Sequence, residues 1–480
     1  MLKNTAIVEK LNICVLIAGI VMLIAIFPHK QISYDEPFSI MCSKGITNFS
    51  LANLKSPDTI TSAEISAQNT YHNVFQGGDS FYYIGLHYFA GLFNNTLKSY
   101  VIFSLVWAIL ALTAFYFLCK TILGDSPFTA LAIVIFVTDV QVLNITYLIR
   151  PYTMGLCLIV VSGIFFFRYL LHKNSPANLL MLGLFGVFAV LTHYFTVYIV
   201  IAYALLLLYN EKLALFSKKN LLAILVPFGV LAVYFVLHRP LATSYNTYQN
   251  YTKDGLHLKM YVSLAQAVSS AIRTIAIDFK ALYPLLKDTL PVRLAAFLLI
   301  VFVYVYGFAK VITNPADRRK YHLLFILGVS SSIFLGTLSF SMNNIMLFNF
   351  RYFVFSFPFC CVFVALFLCS LAENNTVNLT IKVALIVLLL FPGFYKLAKK
   401  GFDNDGFPCN HIEVVQNIIR NDVHTVEVPG LTDAIFLNCF LPSGYQLTYK
   451  LNPKSNNFTI YKKDNAEQIP VINSGLLALY

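Results

Sequence analysis

The stretch LNICVLIAGIVMLIAIFP, residues 11–28, followed after a short gap by SYDEPFSI, residues 33–40, decides how the rest of the chain is read. The first part is an apolar run of the length a bilayer-crossing helix needs, roughly 20 residues. The second part sets two adjacent carboxylates, Asp35 and Glu36, directly beyond it. Ionised groups at a membrane edge are costly, so they are normally paired, hydrated or functional. The plainer alternative is a solvated helix start, with an acidic residue at the N-terminus and Pro37 in the first turn.

Runs of the same kind recur along most of the 480 residues, of which 58% are hydrophobic and 12% charged. Soluble proteins carry about 25% charged residues. The fold class expected is an α-helical polytopic membrane protein. The runs are continuous rather than alternating, which excludes an outer-membrane barrel. Spans are predicted at residues 11–28, 100–119, 127–145, 152–170, 220–238, 292–311, 322–340, 353–371 and 379–395. Two more lie within 177–209 and meet at His193, for about eleven transmembrane helices. The first run lacks a small-residue cleavage site of the signal-peptide kind and is kept as a span.

The net charge is +12, from 34 Lys and Arg against 22 Asp and Glu. The basic residues sit mostly between apolar runs, as at Arg168, Lys173, Lys212, Lys218 and Arg318-Arg319-Lys320. That is the bias of cytoplasmic loops, and it argues against a nucleic-acid partner. It also places residues 29–98 and 239–290 on the outer face, the periplasmic side of a cell (inner) membrane. The cluster Lys396, Lys399 and Lys400 breaks this pattern. Anionic membrane lipids or a phosphate-bearing substrate suit the remaining cationic excess.

Within the first outer loop, Thr61-Ser62-Ala63-Glu64 reads as a capping box that opens a helix to about Phe75. After the break at Gln76-Gly77-Gly78-Asp79, FYYIGLHYFAGLF is too short to span and suits an interfacial helix. Residues 397–480 lose the long apolar runs and are expected to form a second, small α/β domain beside the membrane domain 1–396, on the periplasmic side with Asp35 because the span count is odd. HIEVVQNIIR and DAIFLNCFL read as helices and HTVEV as a strand. GYQLTYKL and FTIYKK read as a strand pair across NPKSNN. Of the nine Cys, Cys14, Cys119, Cys157, Cys360, Cys361 and Cys369 lie in or beside apolar runs and read as core. Cys409 and Cys439 share the tail and could pair if it faces an oxidising compartment.

On this topology Asp35, Glu36, His72, Asp79, Asp139, Arg150, Tyr152, His193, Tyr194, Arg351 and Tyr352 share one face of the membrane. A carboxylate there can take a proton, and arginine forks suit phosphate. Each residue has a plainer role: Arg150 and Arg351 as snorkelling side chains, His193 at a helix end, and His72, Asp79 and Asp139 as caps or span ends. The joint pattern is what points to chemistry at the outer interface.

The stretches SYDEPFSI, FYYIGLHY, IRPYTMGL, LTHYF and FRYFVFSFPF, in this order over residues 1–396, resemble the GT-C superfamily of membrane glycosyltransferases. They look most like the protein O-mannosyltransferases and the bacterial transferase that adds aminoarabinose to lipid A. The resemblance implies a polyprenyl-phosphate-linked sugar donor and a lipid, glycan or protein acceptor. It places Asp35 at the catalytic centre, with Glu36 orienting the acceptor or a divalent metal. Arg150, Tyr152, His193, Tyr194, Arg351 and Tyr352 would hold the lipid phosphate, with inversion at the sugar carbon. Where relatives show His-Pro opening the second interfacial helix, this chain has Gly78-Asp79-Ser80, which makes Asp79 a substitute candidate only; His72 and Asp139 are the other acceptor or metal candidates. A transporter or flippase is the competing class. Its charges would sit near mid-membrane on broken helices in repeated halves, and no repeat is visible. A polymerase or ligase for lipid-linked glycans is the third.

Overall fold

The computed structural model describes residues 2–27, 36–44, 59–67, 80–172, 175–238, 309, 318–342, 350–370, 411–442, 445–452, 454, 457–461 and 466–470, with isolated positions between 376 and 394. The membrane part begins with α1 (Leu2–Ile26), then α2 (Glu36–Ser43). A short strand β1 (Thr59–Thr61) leads into α3 (Ser62–Ala67). Next come α4 (Ser80–Gly91) and α5 (Leu97–Leu123). The helix pair α6 (Pro127–Thr138) and α7 (Val140–Thr146) precedes α8 (Tyr152–Phe167). After α9 (Pro176–Thr192) and α10 (Val197–Glu211) comes α11 (Lys218–His238). Further on come α12 (Arg318–Met342), α13 (Phe350–Phe353) and α14 (Phe357–Ser370).

The starts and stops follow local chemistry. Thr96 caps α5, its hydroxyl accepting from the Ser99 amide at 3.3 Å, and Gly124 ends it at φ 70°. Ser126 and Ser175 precede α6 and α9, each with Pro in the first turn, where a missing N–H costs nothing.

Among the described residues, four segments are long and apolar enough to cross a membrane: Ala6–Ile26, Leu97–Leu123, Tyr152–Leu171 and Tyr194–Phe216. Helices α6, α9 and α14 are apolar but shorter. Of the expected span at 292–311 only position 309 is described, and of that at 379–395 only isolated positions. The chain breaks at His193, between α9 and α10, as expected.

The span expected at 127–145 is not one helix. It breaks at Asp139, whose backbone is extended at φ −62° and ψ 134°. The Asp139 carboxylate accepts from the Val142 amide at 2.9 Å and starts α7. A short acidic side chain that caps its own neighbourhood competes with helix continuation. Two cysteines also differ from expectation. Cys119, Cys157, Cys360 and Cys361 are buried, but Cys14 and Cys369 are exposed. Cys14 shares the outward stripe of α1 with Leu11, Ile17 and Val21, a face an apolar bilayer covers.

The bundle core is α8 against α5 and α9, with α9 also on α11 and α14 on α6 and α12. A Cβ at Gly163 on α8 would lie 2.8 Å from Tyr203 Oη and 3.1 Å from Phe359 Cε1. Only a bare α-carbon lets these helices approach that closely. Lys120 on α5 pairs with Glu9 on α1 at 2.6 Å and with Asp125 at 3.3 Å. At the other end of α1, Tyr147, just past α7, donates its Oη to the Leu23 carbonyl.

The tail contains α15 (His411–Arg420), β2 (Thr425–Val428), α16 (Leu431–Phe440), β3 (Thr448–Leu451), β4 (Asn457–Tyr461) and β5 (Ala466–Pro470). The sheet order is β1-β3-β2-β4-β5. Strands β3 and β4, expected to pair with each other, do not; β2 lies between them. The reason is the β2–α16–β3 unit: a strand, a helix and a strand return the chain parallel and adjacent. β4 then takes the free edge of β2. The central strand buries Val426 and Val428 beside Tyr449, Phe458 and Ile460.

The outer edge of this sheet is β1, from the first loop, antiparallel to β3. The capping box forms as read. Thr61 N–H donates to Glu64 Oε2 at 2.9 Å, and Glu64 N–H to Thr61 Oγ1 at 3.2 Å. Ser62 N–H donates to the Leu447 carbonyl at 2.8 Å and Ser62 Oγ accepts from the Leu447 amide at 3.0 Å. The first loop and the tail therefore fold together.

Candidate functional site

The site is built around the turn from α7 to α8, Thr146–Pro151, which carries Arg150. Three successive residues of the turn are pinned by three different helices. Tyr147 Oη donates to Leu23 O of α1. The Leu148 carbonyl accepts from Ser104 Oγ of α5 at 2.7 Å. The Ile149 amide donates to Glu36 Oε1 of α2 at 2.8 Å. Glu36 is 0% exposed. A buried carboxylate is tolerated when hydrogen-bonded, and an amide-to-carboxylate bond is among the stronger kinds.

Beyond the turn, Tyr152 opens α8 with its ring 5.0 Å from that of His193. His193 ends α9 and stands 6.1 Å from Tyr352 and 5.3 Å from Phe355, centroid to centroid. Tyr352 lies against Phe195 at 4.1 Å. Tyr198 Oη donates to the Tyr352 carbonyl at 2.6 Å and ties α10 to α13. A Cβ at Gly155 would meet Phe355 Cε1 at 3.1 Å, so this glycine lets α13–α14 approach α8.

His193 sits in the turn between two helices. Its Nδ1 accepts from the Phe195 amide at 3.2 Å, which leaves Nε2 to carry the proton of the neutral ring. An imidazole whose Nδ1 accepts carries a single proton and is neutral, and the Arg150 guanidinium is its charged neighbour. A neutral imidazole beside a guanidinium can donate to an anion without adding charge.

The structure thus gathers Glu36, Arg150, Tyr152, His193 and Tyr352 at one end of the bundle, with Tyr194 at its rim, 51% exposed and 5.3 Å from His193 between ring centroids. Asp139 is buried at a helix break, where it caps α7. Asp35, His72 and Asp79 lie outside the described residues. Arg351 lies in α13, but its side chain is also outside them. Among the described residues no three His, Cys, Asp or Glu side chains converge as a metal shell. Glu36 already serves the Ile149 amide and Asp139 caps a helix, so this part of the site does not by itself offer one.

Sequence reasoning missed Ser104, Tyr147 and Ile149, which hold the arginine turn, and Lys44 and His87, which hold α2. Ser104, a polar residue inside an apolar run, was a legible signal. A backbone amide such as that of Ile149 leaves none.

No protein-family model matches the chain, and no curated protein sequence matches it. Solved structures do. The apo crystal structure of the Archaeoglobus fulgidus oligosaccharyltransferase aligns at TM-score 0.51 and 12% identity, over 92% of this chain and 65% of the other. The fold is similar to that of a membrane oligosaccharyltransferase. The same protein in complex with Zn and sulfate gives TM-score 0.48 at 12% identity, covering 89% of this chain and 57% of that one. The archaeal oligosaccharyltransferase AglB from Archaeoglobus fulgidus, in complex with an inhibitory peptide and a dolichol-phosphate, gives 0.45 at 14%, covering 90% and 60%. The chain spans less than two thirds of the length of these neighbours. At such identity the likeness is one of fold.

Proposed function

We propose that this protein is an integral-membrane glycosyltransferase of the GT-C type. It moves a sugar from a polyprenyl-phosphate donor to a lipid, glycan or protein acceptor at the outer face of the membrane. The observation that carries the proposal is the convergence of Glu36, the Arg150 turn, Tyr152, His193 and Tyr352 at one bundle end, next in sequence to Asp35. The fold likeness to an oligosaccharyltransferase supports it, and so do the O-mannosyltransferase-like and aminoarabinose-transferase-like stretches.

The chemistry follows from the residues. The acceptor hydroxyl oxygen attacks the anomeric carbon from the face opposite the phosphate, and its proton passes to the Asp35 carboxylate. The bond from carbon to phosphate oxygen breaks through an oxocarbenium-like state, and polyprenyl phosphate leaves as a monoester. No strong acid is needed for such a leaving group. Arg150 and Arg351 neutralise the charge that develops on it, and neutral His193 donates from Nε2. Tyr152, Phe195 and Tyr352 supply an apolar wall that limits water. Glu36 fixes the distance between the acidic pair and the arginine turn.

The test is transfer by full-length protein in liposomes from a polyprenyl-phosphate hexose, read as release of polyprenyl phosphate. Asp35→Asn is expected to abolish release while the protein stays folded in detergent. Full turnover by Asp35→Asn removes Asp35 as the base. No transfer by the wild type from any polyprenyl-phosphate sugar, alongside movement of the intact lipid between leaflets, favours the flippase class.

A further inference from the structure

Helix α2 is gripped at both ends by different parts of the molecule. At its start, Glu36 receives the Ile149 amide. At its finish, the Ser43 carbonyl lies 2.8 Å from His87 Nδ1 of α4. The next residue, Lys44, closes the helix with its own amide, which donates to the carbonyls of Ile40 at 3.0 Å and Met41 at 3.1 Å. The Lys44 ammonium then donates to the Cys439 carbonyl at 3.1 Å. Cys439 lies in the last turn of α16, where carbonyls lack partners within the helix. Lys44 therefore serves two helix C-termini at once. The α16 end carries partial negative charge, and the Lys44 ammonium beside it favours its approach to the end of α2. Helices α2 and α16 pack together here.

We infer that Lys44 is a positioning residue through which the C-terminal unit sets Glu36 at the start of α2. The inference rests on the glycosyltransferase reading for its functional half and on the hydrogen bonds above for its structural half. An eight-residue helix is only about 12 Å long, so a shift at Lys44 is carried to Glu36 rather than absorbed. The sheet contact through β1 and Ser62–Leu447 holds the loop to the tail as well, but it lies beyond α2 in the chain. Lys44 ties the end of α2 itself to α16 by a hydrogen bond.

The experiment uses the full chain in liposomes. Lys44→Met keeps the hydrocarbon stem and removes the charge, and Lys44→Arg restores it. Two readouts are taken: release of polyprenyl phosphate from a polyprenyl-phosphate hexose, and amide exchange across residues 37–43. Lys44→Met is expected to speed exchange in α2 and to lower turnover about tenfold, with the donor KM little changed. Lys44→Arg is expected to recover most of both. Ser62→Ala, which loosens only the sheet contact, is expected to leave exchange in α2 as in the wild type. Lys44→Gln, which keeps a donor without the charge, reports in the same way should Lys44→Met not fold. Exchange in α2 that stays at the wild-type rate in Lys44→Met overturns the inference. So does faster exchange with unchanged turnover, and so does an equal effect of Ser62→Ala. A wild type with no transfer activity overturns the glycosyltransferase reading instead, and the exchange measurement still decides the coupling.

Discussion

Glu36→Ala is expected to release the turn that carries Arg150. The Glu36 carboxylate is fully buried and accepts the Ile149 amide at 2.8 Å. A hydrogen bond to a charged group contributes about 1.5–3 kcal/mol, and a buried amide left without a partner costs about 1–3 kcal/mol. These overlap rather than add, so the opening of the turn should become easier by about 2 kcal/mol, or about 30-fold. Glu36→Gln keeps a carbonyl oxygen in the same place and loses only the charge-assisted share, about 1 kcal/mol or roughly fivefold. Hydrogen exchange of the peptide containing Ile149, in detergent or nanodiscs, reads this directly. Ile149 exchange at the wild-type rate in Glu36→Ala refutes the scaffolding role, and equal acceleration in both variants refutes the hydrogen-bond account. In the transfer assay, Glu36→Gln should keep more turnover than Asp35→Asn, because it alters placement rather than the base.

Arg351→Ala is expected to weaken donor binding more than Arg351→Lys, which keeps the charge but loses the two-pronged fork; a binding isotherm with a polyprenyl-phosphate sugar measures both. Gly183→Ala on α9 would set a Cβ 2.5 Å from Pro227 Cγ on α11. It is expected to lower stability by about 1–3 kcal/mol, as overpacking does, visible as a lower thermal midpoint in detergent. In the tail, hydrogen bonds from Tyr461 at 2.6 Å and then Asn452 at 2.6 Å hold Glu427 below the usual carboxylate range. A lowered folded value means stability that is present above the unfolded carboxylate pKa and lost as pH falls through the folded one. Tyr461→Phe should therefore make exchange protection of β2 and β4 less pH-dependent below about pH 4.5.

The sequence by itself determined the membrane class, the break at His193, the capping box at Thr61 and the elements of the tail as far as β4. Each of these rests on a signal confined to one short stretch: an apolar run, a helix breaker, a reciprocal polar pair, an alternation. It also selected Glu36, Arg150, Tyr152, His193 and Tyr352 as residues worth joining, because charge and hydrogen-bonding groups are rare and costly beside a bilayer. Only the tertiary structure decided how they join. The partner of Glu36 is a backbone amide more than a hundred positions away, and every residue but proline has one, so no side-chain pattern announces it. The edge strand of the tail sheet came from the first loop because three residues, Thr59–Thr61, are too short to be read as a strand alone. They become one only when β3 offers its free edge. Asp139 ended a run that hydropathy extends to residue 145, because a local hydrogen bond to Val142 outcompetes a helix that composition alone would continue.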